Sequence, residues 1–87
     1  ASYALLLHMF AQQVSMLPGK LIGNLGDVHI YDNHKKYVRE QLTRNPNRKA
    51  PQLKLRKADN IFSYNYEDFE ILNYEADPNW KDVPIAV

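Results

Sequence analysis

Asp27, His29 and Tyr31 are spaced two residues apart in the run Gly26-Asp27-Val28-His29-Ile30-Tyr31-Asp32-Asn33-His34. On an extended backbone alternate side chains share a face. This spacing therefore sets a carboxylate, an imidazole and a phenol in one row, with Val28 and Ile30 pointing the other way. An imidazole and a phenol so placed can share one hydroxyl group, since each is able to donate or accept. Three hydrogen-bonding groups over an apolar back suit a polar ligand held against a buried sheet. A half-exposed strand with a merely solvated polar face gives the same pattern. Asp27 has two readings of equal weight, an orienting partner for the imidazole or a structural acceptor in a Gly-Asp turn.

The elements that must position this row are legible from the spacing of apolar residues. Residues 2–16 read as a helix, apolar almost all round, with a narrow polar stripe at His8, Gln12 and Ser15. Such a helix is buried on most sides, and 87 residues are too few to surround it. The chain is thus expected to be part of something larger or of a tight oligomer. Leu17-Pro18-Gly19 stops the helix. Residues 20–31 read as one strand, with Gly23 and Gly26 allowing a bulge. Asp32 or Asn33 caps a short helix running to about Thr43, with Tyr37, Val38 and Leu42 on its apolar side. Residues 44–51 form a polar loop, and 52–57 a second strand with Leu53 and Leu55 facing inward. Residues 60–66 make a turn packed by Ile61, Phe62 and Tyr64, residues 69–74 a third strand, and the end from Glu75 an irregular tail.

Composition narrows the function classes. The chain has 87 residues, 45% of them hydrophobic, a net charge of +1 and no cysteine. A chain of this size is one small domain, and that hydrophobic content argues against disorder. Without cysteine there is no disulfide framework, no thiolate metal site and no cysteine nucleophile within these residues. His8, His29 and His34 lack the spacing of metal ligands. The stretch 3–16 is too short and polar for a membrane span, which needs roughly 20 apolar residues, and lacks the pattern of a secretory signal. A soluble, cytoplasmic protein with no membrane partner is expected. Nine Lys and Arg residues fall between Lys35 and Lys57, opposed by Glu40 alone, while acids dominate beyond Lys57. That asymmetry is compatible with a nucleic-acid surface, and more simply with two solvated faces that neutralise each other on folding.

Four pieces, in this order and spacing, resemble the C-terminal part of thymidylate synthase: Ala-Ser-Tyr-Ala-Leu-Leu-Leu-His-Met-Phe-Ala-Gln-Gln at 1–13, the Gly26–His34 run, Tyr-Glu-Asp-Phe-Glu-Ile at 66–71, and Pro-Ile-Ala-Val at 84–87. The resemblance spans essentially the whole chain and corresponds to about the last third of such an enzyme. It implies an α+β fold, a buried helix packed on a mixed β-sheet, with residues 1–87 a single incomplete domain. It implies reductive methylation of dUMP to dTMP, in which a cysteine thiolate adds to C6 of the pyrimidine and C5 then takes the one-carbon unit of 5,10-methylenetetrahydrofolate. In the family the nucleophile and the phosphate, base and pterin ligands lie upstream of the position matching Ala1, so this piece is expected to be inactive without the missing N-terminal portion.

Within the 87 residues the resemblance assigns contacts to the deoxyribose 3′-hydroxyl to His29 and Tyr31, with backbone support from Ile30. It assigns contact with the reduced folate to Ala86, and closure of the C-terminus over the site to Ile85 and Val87. Helix 2–16 and strand 20–31 would form part of the sheet at which two subunits of a homodimer meet. No metal is implied. Three places depart from the family pattern: Asn45 after Arg44, the 48–51 loop and Gly23-Asn24, and they touch only local loop and interface geometry. A pyrimidine-nucleotide hydroxymethylase of the same fold is the alternative enzyme, and a basic nucleic-acid-binding module using 35–57 the alternative from another class. That module would want aromatic residues among its basic ones, and 44–57 has none.

Overall fold

The structure, a computed structural model, describes residues 1–46 and 48–85. Its architecture is α+β: helix α1 (Ser2–Gln13), a 3-10 turn (Asp32–His34) running into helix α2 (Lys35–Thr43), strand β1 (Gln52–Leu55), a second 3-10 turn (Tyr66–Asp68) and strand β2 (Phe69–Leu72). The two strands pair antiparallel, Gln52 opposite Leu72 and Leu55 opposite Phe69. The expected mixed sheet is therefore a two-stranded antiparallel ribbon among the described residues. Alternation explains its faces: Leu53 and Leu55 are half-buried, and Lys54 stands across from Glu70, an opposite-charge pair that favours this register.

Helix α1 lies against this ribbon. Leu5 and Met9 share a groove with Phe69 and Ile71, and Ala4, Leu5 and His8 share another with Leu53 and Ile71. At its end two glutamine amides pin the helix to main-chain carbonyls at the end of β1 and just beyond it. Gln12 Nε2 donates to the Leu55 carbonyl (2.8 Å) and Gln13 Nε2 to the Ala58 carbonyl (2.9 Å). Tyr64 Oη donates to Gln12 Oε1 (2.5 Å) and accepts from Gln13 Nε2 (2.9 Å). Gln12, one of the three residues of the expected polar stripe, is thus a docking group rather than a solvated one.

The helix ends three residues earlier than the apolar pattern suggests, because its stop is a left-handed residue and not the proline. Ser15 has φ 56°, with Ser15 N–H donating to the Gln12 carbonyl (3.3 Å) and Met16 N–H to the Ala11 carbonyl (2.9 Å). That pair of bonds is the Schellman closure of a helix C-terminus, with serine where glycine is the usual residue.

The largest departure concerns residues 20–31, which form no ladder. A strand's N–H and C=O groups need a neighbouring strand, and neither β1 nor β2 supplies it. Leu21, Ile22, Leu25, Val28 and Ile30 are all exposed. Leu21, Ile22 and Leu25 face Tyr3, Leu6, Leu7 and Phe10 across an open groove. Phe62 and Leu42 are likewise exposed, against the packing expected for them. Only Ala11 is buried among the described residues, so α1 is half-covered rather than buried. The chain exposes 8239 Å², where a compact monomer of its mass exposes about 5,300 Å². Its radius of gyration is 17.2 Å, against about 12 Å for a compact chain of this length.

Candidate functional site

The row read from the sequence exists without a sheet behind it. His29 and Tyr31 project to the same side, their rings meeting edge to face with centroids 5.0 Å apart and planes at 88°. Both are about half exposed, the His29 side chain at 53% and Tyr31 at 50%. A three-residue turn holds the approach to them, Val28 N–H donating to the Gly26 carbonyl at 2.8 Å.

Of the two readings of Asp27, the geometry brings out a third. Its backbone carbonyl, not its carboxylate, orients the imidazole: His29 Nδ1 lies 2.9 Å from Asp27 O. The carboxylate, 3.7 Å away at Oδ1, is almost wholly in solvent. A carbonyl only accepts, so Nδ1 carries the hydrogen, and in the neutral ring Nε2 is left with a free lone pair. Beside it stands a phenol that donates and accepts. An acceptor and a donor side by side match one hydroxyl group, which offers one hydrogen and two lone pairs.

A row of rings continues from this pair. Tyr31 meets His34 at 5.7 Å, His34 meets Tyr37 at 6.5 Å, and Tyr37 meets Trp80 at 6.0 Å, all edge to face. The tail is tied to this row at both ends. Arg44 Nη2 donates to the Pro78 carbonyl (3.1 Å), Arg48 pairs with Asp77 (2.6 Å), and the Arg44 guanidinium lies 4.0 Å from the Trp80 ring centre. At the other end Asn33 Nδ2 donates to the Ile85 carbonyl (3.1 Å) and His34 Nε2 to the Pro84 carbonyl (2.6 Å). Ile85 therefore comes within one residue of the Tyr31–His34 ring pair, while Ala86 and Val87 lie outside the described residues. Sequence reasoning missed the Asn33 and His34 contacts. They join residues about fifty apart, and no local pattern encodes such a bond.

Ile30, between the two rings in sequence, is exposed. A groove of about 840 Å³ runs between α1 and β2 and includes neither His29 nor Tyr31. It is lined by the apolar side chains of Leu5, Leu6, Met9, Phe69 and Ile71. The basic segment spends part of its charge internally: Arg48 and Arg44 on Asp77, and Arg56 near Asp68 at 4.0 Å. Among the described residues no three His, Asp or Glu side chains converge as metal ligands. No described helix is long and apolar enough to cross a membrane.

The similarities of the sequence agree with this picture of an uncovered piece. The family model for thymidylate synthase matches residues 1–87. A thymidylate synthase of Corynebacterium aurimucosum is 52% identical over 81 residues, covering 93% of this chain and 30% of that protein. A thymidylate synthase of Pseudomonas fluorescens is 48% identical over 87 residues, covering 98% of this chain and 31% of that protein. The chain spans less than a third of the length of these relatives. With a family model matching from end to end, this chain belongs to the thymidylate synthase family.

Proposed function

We propose that this chain acts as the C-terminal third of an enzyme that converts dUMP to dTMP by reductive methylation, with 5,10-methylenetetrahydrofolate as co-substrate. The observation that carries the sugar-binding role is the His29–Tyr31 pair, with the imidazole tautomer set by the Asp27 carbonyl. The 3′-hydroxyl of the deoxyribose donates to His29 Nε2 and accepts from the Tyr31 phenol, which fixes the sugar and so the pyrimidine. Ile30 supplies backbone between the two. A 2′-deoxynucleotide is held in one orientation by such a pair, and orientation lowers the barrier to the bond-forming step.

The folate supplies the one-carbon unit and the reducing equivalents for the new methyl group. From this chain the tail meets it, Ala86 by its backbone, with Ile85 and Val87 completing closure that excludes water. The tail's approach to His34 beside Tyr31 is compatible with that place, since it brings Ile85 to the rim of the ring pair. The chain holds no cysteine. In this reading the thiolate nucleophile, and the groups for phosphate, base and pterin, come from the part of the enzyme matching the upstream two thirds of the relatives. The exposed face of Leu21, Ile22, Leu25, Val28 and Ile30 serves as part of the sheet between two subunits of a homodimer.

The test uses the complete enzyme and an analogue lacking the 3′-hydroxyl. Tyr31→Phe should lower kcat/KM for dUMP by up to about tenfold, the worth of one neutral hydrogen bond. It should do nothing further to the 3′-deoxy analogue. An equal loss on both substrates would remove the sugar contact from the scheme. Formation of a hydroxymethylated nucleotide in place of dTMP would move the enzyme to the hydroxymethylase class.

A further inference from the structure

Asn33 and His34 have no part in the sugar contacts, and their side chains do something the tail needs. Each donates one hydrogen bond to a main-chain carbonyl of the tail, at Ile85 (3.1 Å) and Pro84 (2.6 Å). The acceptors are backbone, so this hold reads the path of the tail and not its side chains. The His34 ring is itself set by edge contacts with Tyr31 and Tyr37, and Nε2 must carry the hydrogen because its partner is a carbonyl. Upstream, the tail is already fastened by Asp77 to Arg48 and by the Pro78 carbonyl to Arg44. The stretch between the two fastenings is short and its Trp80 packs on Tyr37 and Arg44, so the second fastening sets the course of the tail through Ile85. Val83 precedes a proline, which favours an extended backbone there and a direct run to His34.

We infer that Asn33 and His34 are positioning residues that latch the C-terminal segment beside the nucleotide-binding rings. The inference rests on the proposed synthase reading for its catalytic consequence, while the latch itself does not. His34 touches both the tail and Tyr31, so the segment that closes the site and the residue that binds the sugar share one ring as support.

The test compares Asn33→Ala, His34→Ala and His34→Gln in the complete enzyme, reading the rate at which carboxypeptidase Y releases the terminal residues alongside steady-state kinetics. Trimming follows the population of the open tail when opening is fast. His34→Ala and Asn33→Ala should each speed release by about three- to tenfold, one hydrogen bond apiece. His34→Gln, whose amide can reach the same carbonyl, should restore most of the protection. With a latch that serves catalysis, the alanine variants raise KM for the folate and lower kcat more than they raise KM for dUMP. Unchanged release in both alanine variants, with circular dichroism showing the fold intact, overturns the latch. Faster release in an enzyme that makes no dTMP keeps the latch and discards the synthase reading.

Discussion

At the scale of single residues, the chemistry follows from which atom accepts and which donates. Asp27 does its work through a main-chain carbonyl, which leaves His29 Nε2 free as an acceptor. His29→Phe keeps a ring edge against Tyr31 and removes that lone pair, so kcat/KM for the nucleotide should fall about tenfold. His29 and Tyr31 are proposed to share one hydroxyl, so the His29→Phe/Tyr31→Phe double variant should lose less than the two single losses combined. Fully additive losses, measured as kcat/KM on dUMP, would mean that the two side chains contact different groups. The alternation that put these residues in one row was legible in the sequence. The Asp27 carbonyl contact was not, because a main-chain atom leaves no trace in residue type.

At the scale of elements, the ends of α1 are governed by local backbone chemistry. Ser15 holds φ 56°, a conformation costing an L-residue about 1–2 kcal/mol relative to glycine. Ser15→Gly should therefore stabilise the complete protein by about 0.5–1 kcal/mol once glycine's greater freedom in the unfolded chain is discounted. Ser15→Val should destabilise it by a similar or larger amount, and urea unfolding of the three proteins gives the order. The proline at 18 lies too far along to be the stop, although its signal in the sequence is the stronger one. Strand β1 was legible from alternating Leu53 and Leu55, whereas its antiparallel pairing with β2 and the helix-to-ribbon link through Gln12, Gln13 and Tyr64 were not. Polar residues on a helix read as solvated until something across the fold offers them a carbonyl.

At the scale of the whole molecule, the excess of exposed surface is the dominant fact. Nearly 3,000 Å² more than a compact chain of this mass would show, with Ala11 alone buried among the described residues, leaves too little burial to offset chain entropy. The 87-residue chain by itself should unfold without a cooperative transition in calorimetry and should bind a hydrophobic dye. It should produce no dTMP until combined with the upstream portion of the enzyme. A sharp calorimetric peak for the isolated chain would show that its apolar faces find cover within one copy or between copies. The opposite charges of the 35–57 segment and the tail meet in part at Asp77, which favours the mutual-neutralisation reading over a nucleic-acid surface.

By itself the sequence determined the helices, the segments that become β1 and β2, the common face of His29 and Tyr31, and the family, because these depend on spacing along the chain. The tertiary structure decided the rest. Residues 20–31 stay out of a ladder because a strand needs a neighbour, and α1 stays half-covered because burial needs volume that these residues do not provide. Only folding brings Asn33 and His34 to the Pro84 and Ile85 carbonyls, since a bond across fifty residues is set by where two segments meet and not by the residues beside either end.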